Sequence, residues 1–205
     1  MRMPWFSCLA VLIAVMARPD AAEAGARITT TTKYYTVQGE NGHALFRSMN
    51  RNGPRHAFMK KAMAQTQYKT SPRGKMTWKD GVCRVDDGGY DAEITYVFPK
   101  PARRLTGDMA RRWKAFMVHT VAHEKVHGRI AAQMAHALDR HIRQFAMKDG
   151  KGCRRALARL RKDVKAIYKR FDDKQNAYDE REHREGGAVE KSVLRLVNQG
   201  RSSAH

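Results

Sequence analysis

Two hydrophobic periodicities divide the chain. Over residues 28–101, short runs of β-branched and aromatic residues alternate with turn residues. Residues 29–37 form the first such run and predict a strand. Asn41 is placed to cap a short helix with Leu45 and Met49 on one face, and Gly53-Pro54 is placed to end it. A second short helix is expected around residues 56–64, followed by strands at 75–79, 82–85 and 90–98. The Asp86-Asp87-Gly88-Gly89 segment reads as a hairpin turn between the last two.

Beyond Pro101 the spacing changes to three and four. Trp113, Phe116, Thr120, His123, His127, Ile130, Met134, Leu138 and Phe145 mark one face of a helix expected over residues 107–148, with Gly128 as a place to bend. The glycines of 149–152 break it. A second long helix starts near Cys153, carries Leu157, Leu160, Val164, Ile167 and Phe171 on one face, and runs toward Tyr178 before Gly186-Gly187 ends it. Residues 189–197 fit a short last helix. The predicted class is α+β, a small antiparallel sheet followed by a hairpin of long helices.

The N-terminus follows neither pattern. Arg2 precedes an apolar run from Trp5 to Met16, and Ala21, Ala22, Ala24, Gly25 and Ala26 follow it. The run is too short for a comfortable bilayer span, so residues 1–26 read as a cleaved secretory signal and 27–205 as one mature domain. The implied location is periplasmic or secreted, with no transmembrane segment left after cleavage. Cys8 leaves with the signal. Cys83 and Cys153 remain, and in an oxidising compartment they are expected to form one disulfide.

Charge adds one expectation and leaves the fold class alone. The chain has 40 Lys and Arg against 20 Asp and Glu, a formal charge of +20, with 42% hydrophobic residues. That apolar content supports a packed core and excludes wholesale disorder. Arg2 and Arg18 cancel Asp20 and Glu23, so loss of the signal leaves the charge unchanged. Such a surface attracts anionic envelope polymers, and the second long helix concentrates it in Arg154, Arg155, Arg159, Arg161, Lys162, Lys165, Lys169 and Arg170. Aromatics are not interleaved with these cations, so specific nucleic-acid recognition is not expected.

The chemistry concentrates in His123-Glu124-Lys125-Val126-His127, an H-E-x-x-H pattern within the first long helix. One helical turn separates the imidazoles, so both point the same way and can share a zinc ion. Glu124 stands beside them as a base for a metal-polarised water. Zinc needs a third protein ligand in addition. His119 is one turn too far from His127 to share the ion, and His136 and His141 are remote. The run Tyr178-Asp179-Glu180-Arg181-Glu182-His183 ends the second helix. Projection from Leu157 through Phe171 favours Glu182, whereas a break before the glycines favours His183. No nucleophile elbow, phosphate loop or dinucleotide fingerprint is present, which disfavours serine hydrolases, kinases and dehydrogenases.

These residues resemble the bacterial domain of unknown function 922 family, whose members are predicted secreted zinc-dependent proteases. The resemblance runs through Tyr34-Tyr35-x-Val37-x-Gly39, residues 49–54, Thr77-Trp78, Cys83, the H-E-x-x-H, Cys153 and Tyr178-Asp179 followed by His183. It implies a zincin-like site on the first long helix, with His123, His127 and His183 holding one Zn2+ per chain and Glu182 the alternative third ligand. Here Arg184 and Glu182 stand where the family pattern has glycine and threonine.

The expected function is an exported zinc metallopeptidase that hydrolyses peptide bonds, with Glu124 as general base and Tyr178 as a candidate to assist the transition state. An edge strand such as 90–98 is expected to hold the peptide substrate by strand addition. Two alternatives stand beside it: a polyanion-binding module with structural zinc or none, and a zinc amidase acting on cell-wall peptides.

Overall fold

The computed structural model describes residues 25–55 and 61–198. The expected export signal lies outside the described residues but for its last two positions, as does 56–60 of the second short helix; residues 61–64 of that segment are not helical. The element order is β1 (Arg27–Val37), α1 (Gly42–Asn52), β2 (Gln65–Lys79), β3 (Val82–Pro101), α2 (Gly107–Gln144), β4 (Ala146–Lys148), α3 (Arg154–His183) and α4 (Ala188–Val197). The class is α+β, with four helices on a small mixed sheet.

The sheet corrects three expectations. Its order is β1-β3-β2, with β4 pairing the start of β3. β1 runs parallel to β3, from Arg27 opposite Asp91 to Val37 opposite Pro101, so the sheet is mixed and not antiparallel. Chain direction is invisible in a strand's own periodicity. The segment 90–98 consequently lies at the centre, flanked by β1 and β2, and cannot accept an added strand.

The hairpin turn is also elsewhere. Asp80 and Gly81, both with positive φ (50° and 79°), close a two-residue loop between β2 and β3. Asp-Gly is the favoured pair for such a loop, because both positions need left-handed backbone. The Asp86–Gly89 segment instead stays within β3 and bulges: Arg73 pairs with Gly89 while Lys75 pairs with Asp86. β2 is correspondingly long, reaching back to Gln65.

Helix α1 starts as its sequence directs, with the Asn41 side chain accepting from Ala44 N at 2.9 Å. α2 stops earlier than its pattern, at Gln144, because Ala146–Lys148 pair with β3 as β4. α3 extends beyond Tyr178 to His183. It runs antiparallel to α2, as successive contacts show: His141 faces Asp163, His127 faces Gln175 and His119 faces Glu182.

Two apolar clusters bracket the middle of α2. Met109 and Phe116 pack with Val37, Leu45, Met49 and Leu196. Met134, Leu138 and Ile142 pack with Tyr90 and Phe171. The polar turn with His123 and His127 lies between them, on a helix held rigid from both sides. Asp139 adds a buried anchor, accepting from Tyr90 N at 2.9 Å and from Arg143 Nε at 2.8 Å. A buried carboxylate is tolerable only with such partners.

α3 itself buries only Ala156 and Phe171 fully. The Cys83–Cys153 disulfide, expected from the composition, fixes its start to β3. Midway, Tyr168 bonds Tyr90 Oη at 2.8 Å and also meets the Thr70 hydroxyl, while Tyr68 Oη donates to Asp172 at 3.2 Å. Among the described residues no helix is long and apolar enough to cross a membrane.

Gly128 has a packing role. A Cβ at this position would overlap the hydroxyl of Tyr96, which reaches up from the central strand and stacks on Phe98. Gly128→Ala is expected to destabilise the fold by about 1–3 kcal/mol through overpacking, against a gain in helix propensity of about 1 kcal/mol. Urea unfolding of the two proteins checks this, and a variant at least as stable as the parent would refute the contact.

Candidate metal centre

Helical spacing places the imidazoles of His123 and His127 on one face, and the structure brings their Nε2 atoms within 3.1 Å of each other. Opposite them, α3 presents Asp179 and His183, again one turn apart. Asp179 Oδ1 lies 3.0 Å from His127 Nε2, 3.5 Å from His123 Nε2 and 3.8 Å from His183 Nε2. One donor atom from each of His123, Asp179 and His183 lies within 4.8 Å of the other two. The site is therefore built from two pairs at i, i+4, one on each antiparallel helix.

The two helices differ in exposure. The His123 and His127 side chains are 9% and 13% exposed, against 38% and 41% for Asp179 and His183. The centre is buried on the α2 side and open to solvent along α3. Gln175, Asp179 and His183 continue from Phe171 in steps of four. Each such step over-rotates by about 40° on a helix of 3.6 residues per turn, so the row drifts outward toward the helix end.

The second nitrogen of each buried imidazole faces away from this cluster. His127 Nδ1 donates to Gln175 Oε1 at 2.5 Å, and Gln175 Nε2 returns a bond to His127 O at 3.2 Å. That bond keeps a proton on Nδ1, so Nε2, which faces Asp179 in the metal-free chain, is the nitrogen that can give up its proton to bind a metal. His123 Nδ1 is buried without a hydrogen-bond partner, and the nearest carboxylate is Glu182 Oε2 at 4.0 Å. Glu182 also lies 3.9 Å from His119 Nε2.

Glu124 borders the cluster on the side of the sheet. It is 6% exposed, and Thr66 on β2 places its hydroxyl 2.7 Å from Glu124 Oε2. Burial raises the carboxyl pKa, and the Thr66 bond and the neighbouring histidines oppose that rise. At Asp179 burial acts in the same direction, but hydrogen bonding to His123 and His127 outweighs it and holds the carboxyl well below its usual range. At His127 burial would lower the pKa, yet the bonds to Asp179 and Gln175 prevail and raise it. The Tyr178 ring packs 4.9 Å from His123 and 5.1 Å from His127, centre to centre.

The arrangement fits a small divalent cation. An ion held tetrahedrally at about 2.0–2.1 Å sets neighbouring donors about 3.3 Å apart, and the shorter spacings above fall around that value. Imidazole nitrogens with one carboxylate oxygen are the donor types that suit zinc. His123, Glu124, His127, Tyr178 and His183 are thus gathered at one place. His119 and Glu182 pair at its flank, and His141 is paired remotely with Asp163.

The sequence placed Asp179 in the terminal run and in the family pattern without giving it a role, and did not mark Gln175 or Thr66 at all. The four-residue row from Phe171 would have flagged the first two; nothing local marks Thr66, which comes from β2. The cationic run of α3 lies on its outer face, where Arg159 pairs with Asp163 at 2.9 Å and Lys169 with Asp173 at 2.8 Å.

No curated protein matches the chain, and no solved structure matches it. Residues 32–187, well over half of the sequence, match a family described as bacterial protein of unknown function (DUF922). The chain belongs to this DUF922 family.

Proposed function

We propose that this protein is an exported zinc-dependent peptidase whose metal is held by His123, His127 and His183. The observation that carries the reading is the meeting of His123 and His127 Nε2, 3.1 Å apart, with Asp179 and His183 of α3, one donor each of His123, Asp179 and His183 lying within 4.8 Å of the others. His183 is preferred to Glu182 because Glu182 approaches His123 at Nδ1, behind the ring, where a carboxylate orients an imidazole and does not share its metal. Bound zinc supplies a Lewis acid and lowers the pKa of a coordinated water to about 7.

The chain's own groups supply the rest. Gln175 holds His127 in the tautomer with its Nε2 lone pair free for the metal. Thr66 engages Glu124 Oε2, leaving Oε1 as the oxygen that takes a proton from the attacking water and passes it to the leaving amine. In the metal-free chain burial raises that carboxyl's pKa, against the lowering effect of the Thr66 bond and the two histidines. Tyr178, packed on both imidazoles, is the candidate to steady the developing oxyanion.

An extended peptide suits the site better than a compact substrate. Thr66 opens β2, and among the described residues no strand pairs with the outer edge of β2. A peptide added there by main-chain hydrogen bonding would pass beside Glu124.

The mature chain is expected to bind about one zinc by elemental analysis, and to cleave members of a mixed fluorogenic peptide library. Chelation should abolish the cleavage and zinc should restore it. Failure to take up zinc after incubation with the metal would overturn the reading. Zinc uptake with cleavage of cell-wall peptides alone would move it to an amidase.

A further inference from the structure

We propose that Asp179 is a fourth protein donor, so that the centre at rest is closed by His123, His127, Asp179 and His183, and opens to substrate only when the Asp179 carboxylate gives way. This inference rests on the metal reading above and concerns how access to that site is regulated.

The argument turns on which side of each imidazole a polar group occupies. A group that merely orients a metal-binding histidine bonds the nitrogen pointing away from the ion. Two residues of α3 take that position: Gln175 at His127 Nδ1, 2.5 Å away, and Glu182 nearest His123 Nδ1, at 4.0 Å. Asp179 does not. Its Oδ1 faces the Nε2 atoms of His123, His127 and His183 together, at 3.5, 3.0 and 3.8 Å. With an ion among those nitrogens, their Nε2 atoms carry no proton to donate to the carboxylate, so Oδ1 is left in the position of a co-ligand.

The helical geometry supports the same assignment. Asp179 and His183 repeat on α3 the one-turn spacing that His123 and His127 have on α2. Two antiparallel helices then supply two donors each. A tetrahedral zinc with four protein donors has no open position, whereas a hydrolytic site needs one. Of the four side chains, those of α3 lie on the solvent side, and Asp179 and His183 are far more exposed than the α2 pair. His183 brings a neutral nitrogen donor that matches the α2 pair. Asp179 brings the one oxygen donor, and it is the group that an incoming carbonyl or water oxygen would replace.

The test measures metal binding directly. Zinc dissociation constants for the mature chain, Asp179→Ala, Asp179→Asn and Gln175→Ala are obtained by competition with a chromophoric chelator, and each protein is also loaded with Co2+ for visible absorption. Asp179→Ala is expected to weaken zinc binding by more than about 100-fold, beyond the roughly 10–100-fold typical of an orienting partner. Its cobalt bands should also weaken and shift as solvent enters the coordination sphere.

Gln175→Ala should weaken binding within that smaller range and leave the cobalt spectrum unchanged. Asp179→Asn, nearly isosteric, should alter the spectrum in the same sense as the alanine variant. Circular dichroism of the metal-free proteins identifies any variant that has lost its fold, and the asparagine variant then decides. Parental spectra in both Asp179 variants, with affinity within about tenfold of the parent, would overturn the fourth donor while leaving the zinc site standing. If the parent chain takes up neither metal, the underlying metal reading fails first, and the two failures are distinguishable.

Discussion

Glu124→Gln is expected to keep its zinc and lose its peptide cleavage. The side chain is buried against β2, and its Oε2 accepts from the Thr66 hydroxyl at 2.7 Å. Glutamine has nearly the same shape and can still accept that bond through its amide oxygen, so the local packing survives. It cannot take a proton at Oε1, and proton transfer by a positioned carboxylate contributes about 10²–10⁴-fold to rate. The imidazoles of His123 and His127 are untouched, so zinc content should equal that of the parent. Burial disfavours the charged form of Glu124, so a neutral amide should not lower stability. Steady-state cleavage of one peptide by both proteins, each assayed for zinc, reads both halves of the expectation. Unchanged turnover by contaminant-free variant would remove Glu124 from the mechanism. Lost zinc would instead place Glu124 in the structure of the site.

Removing the disulfide should have the largest effect on stability. Cys83 and Cys153 are separated by 70 residues, and in the chain-entropy model a loop of that size is worth about 4 kcal/mol. The double variant Cys83→Ala/Cys153→Ala should therefore unfold at a lower urea concentration, with that difference in free energy, and reductant should shift the parent in the same direction. The position of the bridge implies a second effect. Cys153 immediately precedes α3, whose burial is slight, and Cys83 sits in β3 opposite Met147 of β4. The bridge thus helps to fix where α3 starts relative to α2, and with it the alignment of Asp179 and His183 opposite His123 and His127. Zinc affinity should fall in the double variant even below its unfolding midpoint. A variant with the parent's midpoint would show that the tyrosine contacts to α3 and the packing of Phe171 suffice to anchor the helix.

Some of this architecture was legible in the residues alone. The spacing of three and four through Trp113, Phe116, His123, His127 and Met134 specifies a helix and which side faces inward, because that periodicity is a property of the helix itself. Asn41 capping α1, the pairing of Cys83 with Cys153 and the α+β class follow from equally local signals. The strand region was harder to read. Alternation identifies β3 but says nothing of its neighbours, so the parallel pairing with β1 and the central place of residues 90–98 emerged only from the assembled sheet. The Asp80-Gly81 turn did leave a local signal, an Asp-Gly pair between two β-rich runs, but Asp86–Gly89 competes with it in sequence.

The sequence by itself determined that two imidazoles and a carboxylate would share one turn of a buried helix, and that the chain belongs with DUF922. Tertiary structure alone decided what meets them: Thr66 on Glu124, Gln175 behind His127, Glu182 behind His123, and Asp179 in front of both histidines. The reason is axial register. Periodicity fixes which face of a helix turns inward, but not how far one helix has slid along another, and one turn is a shift of about 5.4 Å. A slip of that size would exchange Gln175, Asp179 and His183 along the row opposite the histidines. The disulfide at Cys153, the tyrosine contacts at Tyr168 and the packing of Phe171 hold α3 against that slip, and all of them join residues far apart in the chain.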